Sequence, residues 1–294
     1  MRLCRFAEDR IGLVYGEEVR DATAALAALP GHRYPLPHHD PLIANLPDLR
    51  VSLEAAAKSA PPIPLDAVHL ISPIANPGKI VAAPVNYKKH LEEARADAAI
   101  HHQKQVEEIQ KIGLFLKAPS SVVGPSEGIP LRHADRRTDH EIELAVVIGR
   151  RADRVAKEHA AAHVAGYCIG LDITVRGPEE RSLRKSIDGY TVLGPWLVTA
   201  DEVPHPDDLD LTLTVNGETR QQANTRDLLI GIAELIAFAS SFYTLLPGDV
   251  LLTGTPAGVG PIQPGDVLDA AISGIGRMQV RVRSLSPLAG RGLG

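Results

Sequence analysis

Glu141 and Glu143 stand in front of Leu144-Ala145-Val146-Val147-Ile148, an apolar, β-branched run that reads as a buried strand. Side chains alternate faces along a strand, so glutamates two apart share a face, about 7 Å from each other. Beside a hydrophobic core two such carboxylates repel unless a cation sits between them. About thirty residues on, Asp172 is the lone acid of a second apolar run, Gly170-Leu171-Asp172-Ile173-Thr174. Three hard oxygen donors on two strands, with no Cys and no obligatory His, suit Mg²⁺, Mn²⁺ or Ca²⁺ better than zinc. A plainer alternative gives one glutamate an arginine partner and leaves the other solvated at a strand end. His90 and Glu93 form a second constellation. An i, i+3 pair shares one helix face, so Glu93 can orient His90 or help it hold a water; the plainer alternative is a surface cap interaction.

The elements around these residues follow from patterning. Residues 1–24 alternate apolar and polar positions, which predicts a hairpin of Leu3–Phe6 with Ile11–Tyr15 and a strand to Val19. Residues 25–72 are rich in Pro, Ala and His, with weak helical periodicity over Pro41–Ala57. Residues 1–72 therefore read as a small N-terminal module and linker, and 73–294 as the catalytic domain. The breaker-dense stretch Ile71–Lys79 marks the boundary. Ile80–Val85 reads as a short strand, followed by a helix-like run from Lys88 to about Lys111. Its second half is polar nearly all round, as in a surface flap, and Ala94–Gly113 is expected to act as a lid. His101, His102 and Glu107 fall on that solvated face. Helices are expected over 155–167 and Asp227–Tyr243. Pro247–Asp249 and Pro264–Asp266 are Pro-Gly-Asp turns, each leading into a strand pattern. The whole is a β-dominated α+β pattern.

Composition narrows the class. The 294 residues are 44% hydrophobic, enough for a full core. Aromatics at 4% and a net charge of −5 without a long basic run argue against nucleic acid as a partner. Cys4 and Cys168 are the only cysteines, so no disulfide framework is expected and a cytoplasmic, reducing setting fits. No window approaches a membrane span.

Eight motifs occur in order: Asn86-Tyr87-x-x-His90-x-x-Glu93, Phe115-Leu116-Lys117, His140-Glu141-x-Glu143-Leu144, Leu171-Asp172-x-Thr174-x-Arg176, Lys185-Ser186, Val215-Asn216-Gly217-Glu218, Pro247-Gly248-Asp249 and Thr253-Gly254-Thr255-Pro256-x-Gly258-Val259-Gly260. The ordered set, over about residues 74–283, resembles the fumarylacetoacetate hydrolase superfamily. The resemblance implies a mixed β-roll catalytic domain, a homodimer and bound Mg²⁺ or Mn²⁺. It implies Glu141, Glu143 and Asp172 as metal ligands and His90–Glu93 as the catalytic dyad. Lys117 and Lys185 match site-facing lysines, Lys185 as a catalytic group. Thr255 matches a substrate-contacting position, or is simply part of a tight turn. Arg176 is expected on the substrate as well.

Three departures accompany the match. Pro84 replaces a glycine common two residues before the Asn and removes an N–H donor. Ala94–Gly113 is long. The link from Arg176 to Lys185 is short and charged, so Arg181 and Arg184 are candidates for a second substrate carboxylate, or for surface pairing with Glu179 and Glu180.

The activity implied is hydrolysis of a C–C bond in an acylpyruvate-type 2,4-diketo acid, such as a fumaryl- or maleyl-pyruvate, to pyruvate and a carboxylic acid. The alternatives are isomerisation or decarboxylation of a hydroxydienedioate or oxaloacetate on the same site, and a catalytically silent binding protein. The presence of all three acids, the dyad and both lysines weighs against the last. Replacing any of the acids is expected to abolish metal binding and to spare, or even raise, the stability of the metal-free fold.

Overall fold

The computed structural model describes residues 1–97 and 109–284. Its centre is the strand Ile142–Ile148, every residue of which is buried. Alternation splits it between two cores. Ile142, Leu144, Val146 and Ile148 enter the larger one. Ala145 and Val147 point to the other face, into the smaller. A strand covered on both sides needs the near-continuous apolar run that the sequence supplies.

This strand lies inside a twelve-stranded mixed sheet. Val164–Asp172 pairs with it antiparallel on one side, placing Leu171 opposite Ile142. Val250–Leu252 pairs on the other side, and Ile80–Ala82 follows in parallel. A five-stranded sheet, Glu218–Asn224, Asp210–Val215, Val267–Ile272, Gly276–Ser284 and Ile129–Leu131 in spatial order, contributes Leu211, Leu213, Leu268 and Ala270 to the larger core. Asn216 and Gly217, with φ of 52° and 83°, turn the hairpin between its first two members, as an Asn-Gly pair in a type I′ turn does. A third sheet of Thr174–Val175, Thr138–His140 and Gly260–Pro261 closes over the end of the large one.

The N-terminal segment is knit into this body. Arg2–Phe6 pairs with Thr191–Thr199, Leu3 opposite Leu197, so the central sheet runs unbroken into residues 1–72. The N-terminal hairpin gains a third strand, Glu18–Asp21. Helix Leu46–Ser59 buries Leu46, Leu49, Leu53 and Ala57 in the smaller core. At about 1.5–3 kcal/mol per buried leucine, that stripe anchors the segment to the sheet.

Two helix expectations are corrected. Residues 157–163 form a 3₁₀ turn, and the chain from Val164 is strand, because it pairs on both of its sides, with Ile142–Ile148 and with Thr191–Thr199, inside the central sheet. The helix expected from Asp227 begins at Ile232. Leu228–Gly231 is held extended instead: Leu229 N–H donates to Asn86 O and Ile230 N–H to Asn86 Oδ1. The first strand after residue 79 ends at Ala82, and Val85 adopts a φ of 49°, unusual for a β-branched residue. The lid segment lies largely outside the described residues, with His101, His102 and Glu107. Helix Lys88–Ala96 runs into its start and helix Ile109–Ile112 lies near its end.

Candidate active site

Sheet pairing assembles the acids. Glu141 sits in the junction between Thr138–His140 and Ile142–Ile148, and its carbonyl accepts from Asp172 N–H at 2.9 Å. Asp172 ends its strand, and Glu143 lies on the same side two residues along. One carboxylate oxygen from each of the three falls within 4.8 Å of the others, and all three side chains are buried. Such a cluster of hard oxygens in a dry setting fits Mg²⁺ or Mn²⁺.

The acids differ in how they are compensated. Lys185 Nζ donates to Glu141 Oε2 (2.7 Å), Asp172 Oδ2 (2.6 Å) and Thr174 Oγ1 (2.7 Å). Lys117 Nζ donates to Asp172 Oδ1 and to Tyr190 O. Arg176 donates to Glu141 Oε1 (3.0 Å) and to the buried Asp139 (2.7 Å). Glu143 accepts from Gly254 N–H at 2.7 Å, with no lysine or arginine hydrogen-bonded to it among the described residues. Burial would raise the Glu141 carboxyl, but Lys185 and then Arg176 outweigh that and hold it down at about 2. Burial and then the charge of Asp172 push Glu143 well above the usual carboxylate range. Burial likewise lowers Lys117, with Asp172 opposing.

The dyad rides on helix Lys88–Ala96. His90 Nδ1 meets Glu93 Oε2 at 2.8 Å, and His90 is buried. Glu93 Oε1 accepts from Gly258 N–H at 2.9 Å, so both oxygens of the carboxylate are fixed. The Thr253–Gly260 loop therefore reaches both constellations: Gly254 N–H holds Glu143, and Gly258 N–H holds Glu93. Both glycines have left-handed φ, 101° and 97°. A Cβ on Gly258 would lie 2.0 Å from Arg220 O.

The arginines divide. Arg176 is committed to Asp139 and Glu141. Arg184 donates to the carbonyls of Glu179 (3.0 Å) and Val175 (3.3 Å), while the Glu179 carboxylate pairs with Arg136. Arg181 lies over the Phe115 ring, 5.4 Å from its centroid, and has no hydrogen bond or ion pair among the described residues. It shares that ring with Lys185, whose Nζ is also 5.4 Å from the centroid, and burial lowers the Arg181 pKa, opposed by Glu141 and Asp172. Thr255 Oγ1 bonds Ile142 O and accepts from Gln221. Sequence reasoning did not single out Gln221 or Asp139. Both are fully buried polar groups, and a polar residue in an alternating strand gives no sign of its burial.

Residues 79–283 match the family model described as fumarylacetoacetate hydrolase, C-terminal. The chain belongs to the fumarylacetoacetate hydrolase family. Its strand-rich α+β body is that family's fold. It is 57% identical over 287 residues to a maleylpyruvate hydrolase from Aquipseudomonas alcaligenes, covering 97% of this chain and 100% of that protein. A solved maleylpyruvate hydrolase from Sphingobium sp. SYK-6, in complex with manganese(II) and pyruvate, superimposes with a TM-score of 0.82 at 40% identity, covering 97% of this chain and all of that one. A mitochondrial oxaloacetate tautomerase of Homo sapiens is 36% identical over 218 residues, 72% of this chain and 66% of that protein.

Proposed function

We propose that this chain is a divalent-metal-dependent hydrolase that cleaves a maleylpyruvate-type 2,4-diketo acid to pyruvate and a dicarboxylic acid. The observation that carries the substrate class is Arg181, a half-buried guanidinium that shares the Phe115 ring with Lys185 and has no anion bonded to it among the described residues. A planar guanidinium in that position recognises a carboxylate bidentately. The near full-length match to maleylpyruvate hydrolases supports the same reading.

Glu141, Glu143 and Asp172 would hold Mg²⁺ or Mn²⁺, which when bound polarises the 2-oxo group and steadies the enolate. His90, oriented by Glu93, takes a proton from a water that adds to the distal carbonyl carbon. The bond between that carbon and the adjacent methylene then breaks, and its electron pair stays on the pyruvate fragment as an enolate. Lys185 and Lys117 supply positive charge beside that fragment, and a proton returned to the methylene carbon completes pyruvate. Thr255 shapes the backbone on the substrate side. The cytoplasmic setting belongs to the same proposal and is supported by two cysteines that are both buried and free. So does the homodimer, which the family resemblance implies and sedimentation would test.

An absorbance screen of the Mn²⁺-loaded protein tests this, with maleylpyruvate, a neutral acylpyruvate, oxaloacetate and a hydroxydienedioate as substrates. Maleylpyruvate should give the highest kcat/KM, and Arg181→Ala should lower it at least tenfold while leaving the neutral acylpyruvate within about threefold. A parent that prefers oxaloacetate would favour tautomerisation or decarboxylation, for which the tautomerase relative is the precedent.

A further inference from the structure

Gln221 lies in the five-stranded sheet, far from the acids in sequence, yet it is fully buried and reaches the residue between two of them. Its Oε1 accepts from Ile142 N–H at 3.1 Å and meets His140 Nδ1 at 3.1 Å. Its Nε2 donates to Thr255 Oγ1 and to Pro256 O, each at 2.8 Å. The two backbone groups fix which way the amide points, since Ile142 N–H needs an acceptor and Pro256 O needs a donor. With Oε1 facing it, His140 Nδ1 must carry the proton.

These contacts join two parts of the site. Ile142 is the residue between Glu141 and Glu143, so its amide sets how the two carboxylates are spaced. Thr255 and Pro256 belong to the loop whose Gly254 and Gly258 amides hold Glu143 and Glu93. Neither part is otherwise tied to the Glu218–Asn224 strand by a hydrogen-bonding side chain among the described residues. One amide thus spans from the metal strand to the loop that carries the dyad's anchor.

We infer that Gln221 is a positioning residue of the metal centre: through Ile142 and the Thr255–Pro256 turn it holds Glu141 and Glu143 at the separation the ion requires. This role rests on the metal site proposed above and not on the identity of the substrate. Removing the amide leaves Ile142 N–H and Pro256 O buried without partners, a cost the strand and loop can relieve only by moving. Groups that orient ligands in this way typically change metal affinity 10- to 100-fold when lost.

The test is calorimetric titration of Mn²⁺ into the metal-free parent, Gln221→Met and Gln221→Asn, well below their unfolding midpoints and without substrate. Met removes the amide. Asn keeps its chemistry but is one methylene too short to span from Ile142 to Pro256. Both variants should bind Mn²⁺ about 10- to 100-fold more weakly, Met the more so. If Met does not fold, Asn alone decides. A merely structural glutamine would lower the unfolding temperature and leave the Kd unchanged, and that result in a folded variant overturns the role of Gln221 alone. A parent that binds no Mn²⁺ would overturn the metal site and this role together.

Discussion

The three acids are not equivalent, and their differences can be measured. Glu141 is bonded by Lys185 and Arg176, and Asp172 by Lys185 and Lys117. Removing either leaves buried cations short of a partner, at a cost of about 1–3 kcal/mol. Glu143 has no such partner and sits against two carboxylates. The expectation that any of the three can be removed at no cost to the metal-free fold therefore narrows to Glu143. Glu143→Gln should leave the metal-free unfolding free energy equal to or above the parent's, whereas Glu141→Gln should lower it. The parent should gain about 2.7 kcal/mol at Mn²⁺ concentrations 100 times its Kd, and Glu143→Gln almost none. Denaturant unfolding with and without Mn²⁺ checks both statements. His90→Ala separates chemistry from binding: kcat should fall about 100-fold or more for loss of a general base, with Mn²⁺ affinity within about twofold.

Among the elements, the Thr253–Gly260 loop is what ties Glu143 of the acid cluster to the His90–Glu93 pair, through the Gly254 and Gly258 amides. Gly258 has a φ of 97° and no room for a Cβ beside Arg220 O. Gly258→Ala should push the loop outward and break the bond to Glu93, leaving His90 without a fixed orienter. The expected result is a fall in kcat of at least tenfold, with KM and Mn²⁺ affinity changed far less, read from steady-state rates and calorimetry. This loop was legible in sequence as a Gly-Thr-Pro turn near the substrate, but its grip on Glu93 was not, because a contact across 165 residues leaves no local pattern. Local signals also misplaced the start of helix Ile232–Phe242. Leu228, Leu229 and Ile232 keep helical spacing, and only the hydrogen bonds that Leu229 N–H and Ile230 N–H donate to Asn86 reveal that the helix starts later.

Across the whole molecule, what the sequence exposed was chemistry with short spacing. Glu141, Glu143 and Asp172 were readable because a carboxylate in an apolar strand needs a reason to be there, and the structure gathers all three. The sheet-rich body was readable from alternation and turns. What stayed hidden was how the N-terminal segment joins the central sheet. Residues 1–72 read as a small N-terminal module and linker on composition; Arg2–Phe6 pairs with Thr191–Thr199, and helix Leu46–Ser59 packs into the smaller core. Pairing over so long a separation depends on the complete fold. Arg176, Arg181 and Arg184 were all expected on the substrate; Arg176 and Arg184 hydrogen-bond to Asp139, Glu141 and backbone carbonyls, whereas Arg181 has no such partner among the described residues.

The central claim is that a water, activated by His90, cleaves a diketo acid at this metal site. It is tested most directly by incubating the Mn²⁺-loaded protein with maleylpyruvate in ¹⁸O-water and analysing both products by mass spectrometry. Pyruvate and a dicarboxylic acid should form in equal amounts, with one ¹⁸O in the newly formed carboxylate of the diacid at short reaction times. Label absent from that carboxylate, or maleylpyruvate left uncleaved while oxaloacetate is tautomerised or decarboxylated, would contradict it.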